Sequence, residues 1–172
     1  MKTFVLGFIV ALAVVFFGAW IYFGFGFAPV ATAASPMPLE GWFAQMALHA
    51  DVNRNANVQS PIPANESNYA AGAHVYRENC ALCHGLPGQP QTDIAKGEFP
   101  SPPQLFKGQG VTDDPPGETY WKVANGIRLS GMPGFKSSLT TDEMWQVSLL
   151  LANADKLPAA VQNELQQPLS VK

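Results

Sequence analysis

The alternation of apolar and polar positions divides the chain before any chemistry is considered. Residues 4–27 form a run of 24 uncharged residues, mostly Phe, Val, Leu, Ile, Ala and Gly. As a helix the run would be roughly 36 Å long at about 1.5 Å per residue. That exceeds the roughly 30 Å hydrocarbon core of a bilayer. Residues 28–38 hold three prolines and several small residues and read as a linker. Leu39, Trp42, Phe43, Met46 and Ala50 then recur at helical spacing, which predicts an amphipathic helix to about residue 55. Its stripe is expected to pack on the domain, as such stripes do; a helix lying on a membrane surface or docked on a partner subunit is the sharper alternative.

Further along, residues 54–68 are polar, contain Pro61 and Pro63, and predict a loop. A helix fits residues 69–79, with Ser67 or Asn68 as its cap. Gly72 inside it costs about 1 kcal/mol relative to alanine, so another backbone is expected to approach there, and Tyr76 shares its face. Residues 85–116 are rich in Gly and Pro, with little periodicity. So long a stretch needs a reason, such as wrapping a large prosthetic group. A short helix over 117–125 ends at Gly126. The last helix opens with the capping box Thr140-Thr141-Asp142-Glu143, runs to about residue 154 and is closed by Pro158. The tail, 159–172, reads as peripheral. No strand pattern or internal repeat is present.

Charge sharpens the picture at one end. Nothing between Lys2 and Glu40 is charged, and the formal net charge of the chain is -3. The balance offers no basic footprint, so nucleic acid is not an expected partner. Lys2 and the α-amino group lie at the near end of the apolar run, and Trp20 and Tyr22 lie toward its far end. The positive-inside rule then puts the N-terminus in the cytoplasm and everything after the helix outside. The competing reading is a cleaved signal peptide, with Ala31-Thr32-Ala33 near its cleavage site. A signal peptide's apolar region is usually about 7–15 residues, however, so an uncleaved anchor is preferred. A lipoprotein anchor would need a cysteine just after the apolar segment, and both cysteines lie far downstream.

Those two cysteines carry the chemistry. Cys80-Ala81-Leu82-Cys83-His84 is a C-x-x-C-H sequence, the attachment signature of c-type haem. Two thiols at this spacing can each reach a vinyl group on one porphyrin edge, and the adjacent histidine is carried under the iron. A thioredoxin-like C-x-x-C would follow a strand, but a helix precedes this one. A structural zinc site would need four ligands, and His49 and His74 are not at zinc-ligand spacing after the motif. The sixth iron ligand is expected to be Met132, in Ser130-Gly131-Met132-Pro133-Gly134-Phe135. Glycines on both sides let backbone approach a flat ring, and Pro133 stiffens the turn. Met144, beside Trp145, reads as core packing.

With these residues in view, the chain resembles a class I c-type cytochrome over about residues 69–157. The resemblance rests on C-x-x-C-H after a helix, a long Pro/Gly loop, Asn-Gly-Ile followed by Gly-Met-Pro-Gly-Phe, and an amphipathic last helix. It implies an all-α class I cytochrome c fold around one covalent haem c, with terminal helices crossing near it; the N-terminal transmembrane helix read above, and the 39–55 stretch, depart from the simplest soluble members. It also implies that Gly72 and Tyr76 meet Trp145, and that the carbonyl of Pro103 accepts from the proximal His84. The divisions expected are 1–38, anchor and linker; 39–65, amphipathic helix and loop; 66–158, haem domain; 159–172, tail.

The function expected is single-electron transfer in a respiratory or photosynthetic chain, as a carrier or a complex subunit, without an enzymatic reaction or a small-molecule substrate. The partners expected are the membrane and redox proteins that donate and accept electrons. The location expected is a bacterial inner membrane, single-pass, with the haem domain on the periplasmic side. A haem enzyme, peroxidase or gas-binding, is the alternative and would need an open sixth position; a structural or assembly subunit is the other. Lys96, Lys107, Lys122, Arg128 and Lys136 could ring an exposed haem edge, and Arg128 could meet a propionate. Asp113, Asp114 and Glu118 are interleaved with them, which equally suits scattered solvated charge.

Overall fold

The computed structural model describes residues 1–107 and 114–169. Among these residues there are helices and no strands, so the fold is all-α, as expected. Two units divide the chain, residues 1–43 and 44–172. In the first, α1 (Lys2–Gly24) is one unbroken apolar helix of 23 residues, with no buried residue and no acidic or basic group in its end turns apart from Lys2. It is long and apolar enough to cross a membrane.

Helix α2 (Glu40–Asn55) forms where the periodicity placed it. Within the second unit the stripe residues Met46 and Ala50 are exposed, which corrects the packing expected of them. Leu39, Trp42, Phe43 and Met46 are all exposed, and the residue α2 buries is Val52. Val52 lies opposite Phe43 at 100° per residue, so the face that packs is the one with fewer large side chains.

The core is built from α3 (Glu66–Asn79), α6 (Pro116–Asn125), α7 (Thr141–Ala152) and α8 (Ala159–Gln166), with α7 packed on α3 and α6, and α8 on α3. Helix α3 starts three residues earlier than the pattern suggested, because Asn65 caps it by accepting from the Asn68 N–H at 3.0 Å. Gly72 is the close-approach point. A Cβ there would strike the carbonyl of Gln146 on α7. Tyr76, Val147, Leu150, Val161 and Leu165 are fully buried in the core. Each buried aliphatic side chain contributes about 1.5–3 kcal/mol relative to exposure.

Helix α7 opens on the expected capping box: Thr140 Oγ1 accepts from Glu143 N at 3.3 Å, and Glu143 Oε2 accepts from Thr140 N at 2.7 Å. The ring of Trp145 stacks on Tyr120 of α6, with centroids 4.1 Å apart. Tyr76 instead meets Phe106 edge-on at 5.0 Å. The aromatic contacts are thus shared out differently from the Tyr76–Trp145 meeting implied by the resemblance.

The tail does not behave as a peripheral segment. Pro158 caps α8 rather than merely stopping α7. Arg77 on α3 then donates to the carbonyls of Glu164, Gln167 and Pro168, at 2.8, 2.7 and 3.2 Å, which satisfies the end of α8.

Candidate functional site

Helix α3 ends by handing over to a single turn. Cys80 caps both α3 and the four-residue helix α4 (Ala81–His84), and its carbonyl accepts from the N–H groups of Cys83 and His84 at 3.1 and 2.9 Å. Cys80, Cys83 and His84 are therefore fixed on one turn. Gly85 closes it at φ +75°, a conformation few other residues adopt. Tyr76 secures the turn from behind, its hydroxyl donating to Gly85 O at 2.7 Å. Burial, with the nearby Cys80 adding to it, pushes this phenol above its ordinary range.

The two thiols are neutral at physiological pH. Burial pushes Cys80 up to about 12, with the charge of Cys83 adding. Burial also pushes Cys83 up to about 11, reinforced by its hydrogen bond to Glu98 and that carboxylate's charge. The thiolate is the nucleophile, so raised values disfavour disulfide exchange at this pair. Among the described residues no cluster of three His, Cys, Asp or Glu side chains is arranged to hold a metal ion.

His84 is oriented by the loop ahead of α6. Its Nδ1 lies 2.9 Å from the carbonyl oxygen of Pro103. A carbonyl only accepts, so the proton sits on Nδ1 and the Nε2 lone pair is available to a metal. The neighbouring Gln104 has its Nε2 buried without a hydrogen-bond partner, 2.6 Å from where a Cβ on Gly85 would lie. An orphaned donor beside the motif suits a site shaped around a polar-edged group.

Met132 stands in a second loop that is laced to the end of α6. Gly126 caps α6 at φ +69°, and a Cβ there would come within 2.8 Å of Met132 O. Ile127 N donates to Met132 O at 3.1 Å, Met132 N to Ser130 Oγ at 3.2 Å, and Phe135 N to Val123 O at 2.9 Å. The Met132 side chain is half-buried against the core, while Met144 is 3% exposed within it. Leu129, at φ +60°, is 93% exposed beside an exposed Arg128.

The structure thus gathers Cys80, Cys83, His84 and Pro103 into one place and fixes the Met132 backbone on α6. The cationic residues are less uniform. Lys96 is paired with Asp93 at 2.8 Å, and Lys122 with Glu118 and Asp114 at 2.7 and 3.1 Å. Burial would lower Lys122, but its bonds to Glu118 and Asp114 outweigh that and raise it. Asp113 lies outside the described residues. His49 is exposed, and His74 pairs with Glu78 on the outer face of α3 at 3.4 Å.

Two groups escaped sequence reasoning, Glu98 and Gln104. Neither belongs to a motif, and each meets its neighbours only through the folded loop.

The donor set fits a covalently attached haem: two neutral thiols on one turn, available for addition to vinyl groups, and an imidazole with Nε2 free to ligate. Comparison with family models agrees. Residues 67–149 match the family model described as cytochrome c oxidase, cbb3-type, subunit III. Among solved structures, a chain of the Kuenenia stuttgartiensis reducing HAO-like protein complex is similar at 24% identity and a TM-score of 0.48, over 55% of this chain. The match spans 47% of that chain, about half its length. No curated protein matches.

Proposed function

We propose, from the premise that residues 67–149 are a class I c-type cytochrome domain, that this protein is a membrane-tethered carrier of single electrons with one haem c. Cys80 and Cys83 attach the haem, His84 ligates the iron through Nε2, and Met132 supplies the sixth ligand. The observation that carries the reading is the His84 Nδ1 to Pro103 O contact of 2.9 Å, made by a histidine on the same turn as both thiols. When bound, the haem supplies a one-electron ferrous/ferric couple whose potential responds to ligand, burial and hydrogen bonding.

The chain's own residues hold and tune. Pro103 fixes the tautomer and plane of His84. Hydrogen bonds from α6 and Ser130 hold the Met132 backbone, and Met144 is committed to the core. Arg128, exposed on the same loop, is free to meet a propionate. With two protein ligands on iron, no position is left for a substrate, which favours a carrier or a complex subunit over an enzyme. Donor and acceptor are redox proteins of a respiratory or photosynthetic chain, met outside the cytoplasm of a bacterial cell. The exposed Leu39, Trp42, Phe43 and Met46 stripe supports α2 as a surface that lies at the membrane.

The test is ligation. Ferrous wild-type protein at neutral pH is expected to resist carbon monoxide, because the sixth position is filled. Ready binding would give the site to gas-binding or peroxidase chemistry instead.

A further inference from the structure

We propose that Glu98, carried against the attachment turn by the short helix before it, packs on the Met132 loop and holds the reduction potential down. The inference rests on the haem reading above.

Glu98 is half-buried and follows the short helix α5 (Asp93–Gly97) as its C-cap. That helix is itself bound to the attachment motif. Thr92 Oγ1 donates to Leu82 O at 2.6 Å and accepts from Ala95 N at 3.1 Å, so the start of α5 is fixed to the residue between the two cysteines. From the other end of α5 the Glu98 carboxylate reaches two places at once. Its Oε1 accepts from Cys83 Sγ at 3.2 Å. Its Oε2 and Cδ lie 2.6 and 2.9 Å from where a Cβ on Gly131 would stand. The carboxylate therefore fills the space that a side chain at position 131 would need, one residue before Met132. The backbone angle at Gly131 does not itself call for glycine; a Cβ there would require the Glu98 carboxylate to move aside.

Once Cys83 is joined to the porphyrin its sulfur donates no proton, and the carboxylate is left as a charge at the porphyrin edge. A negative charge there favours the ferric over the ferrous form, because the ferric centre carries one more positive charge and the site is partly desolvated. The other charges on α5 are Asp93 and Lys96, which neutralise each other at 2.8 Å. Glu98 is thus the uncompensated charge of that element.

The test uses full-length holoprotein and needs no turnover. Glu98→Gln keeps the shape of the side chain and removes the charge. Haem staining and the ferric methionine-to-iron band are expected to persist, and the midpoint potential to shift upward. Gly131→Ala drives a Cβ into the carboxylate, and is expected to weaken that band while staining persists. A Glu98→Gln potential equal to wild type, with the band intact, overturns the proposal, as does a downward shift. A purely structural Glu98 would disturb the band without raising the potential. Failure of the underlying reading is seen separately, in wild type: no staining, or no methionine band before any substitution is made.

Discussion

At the scale of single residues, one turn of chain from Cys80 to His84 holds the groups proposed to carry the haem. Cys80, Cys83 and His84 announce themselves because one turn of chain carries all three. Pro103 could be located only through the family resemblance, and its carbonyl does lie 2.9 Å from His84 Nδ1. Glu98 and Gln104 had no sequence signal, since their neighbours Cys83, Gly131 and Gly85 are brought near by folding alone. Two predictions belong here. Replacing Cys80 and Cys83 together by Ser should abolish haem staining on a denaturing gel. Changing Met132 to His should keep the iron six-coordinate, remove the ferric methionine band and lower the potential, because imidazole favours ferrous iron less than a soft thioether does. Met144→Leu is the control. It sits in the core at 3% exposure, so a near-isosteric swap should cost less than about 1.5 kcal/mol and leave the spectrum unchanged.

At the scale of helices, caps and close approaches set the boundaries. The α3–α7 contact was foreseen from Gly72, and it predicts a cost. Gly72→Ala gains helix propensity, yet its Cβ meets the Gln146 carbonyl. The net effect should be a destabilisation of about 1–3 kcal/mol, typical of overpacking, read as a lower Tm with the haem spectrum retained. Trp42→Ser and Phe43→Ser should fall within about 0.5 kcal/mol, since both rings are exposed. The capping box adds a pH dependence. Glu143 is held below the usual glutamate range by hydrogen bonds from the Thr140 backbone and hydroxyl. A carboxyl with a lowered folded pKa stabilises above its unfolded pKa and loses that contribution as pH falls through the folded value. Thr140→Ala should therefore lower the Tm at neutral pH, with the gap to wild type narrowing under acid. Helix α8 was missed for a physical reason. Pro158 suits the start of a helix as well as the end of another, and two buried residues, Val161 and Leu165, are too few to show a period. The stripe on α2 misled in the opposite sense, because periodicity says that a face is apolar and not what covers it.

At the scale of the whole molecule the decisive element is α1. It presents Phe, Leu, Ile and Val side chains to its surroundings along its full length and buries none of them. Each such side chain left in water forgoes about 1.5–3 kcal/mol, and 23 residues at about 1.5 Å each span roughly 35 Å. A helix of that length and composition is stable in a bilayer, where all of its backbone groups bond internally. Lys2 at the near end and Trp20 and Tyr22 toward the far end fit the cytoplasmic-to-outside direction. The prediction is that haem-stained protein stays with membranes through a carbonate wash, and that protease added from the outside releases a haem-bearing fragment while α1 remains. A soluble haem protein whose sequence begins near Ser35 would mean that α1 is removed during export. The consequence is kinetic: an anchored carrier searches for its donor and acceptor in two dimensions at a raised local concentration, whereas a released one must find them from solution. Electron-transfer rates measured in vesicles, with the chain intact and with α1 cut away, should differ for a membrane-bound partner and agree for a soluble one.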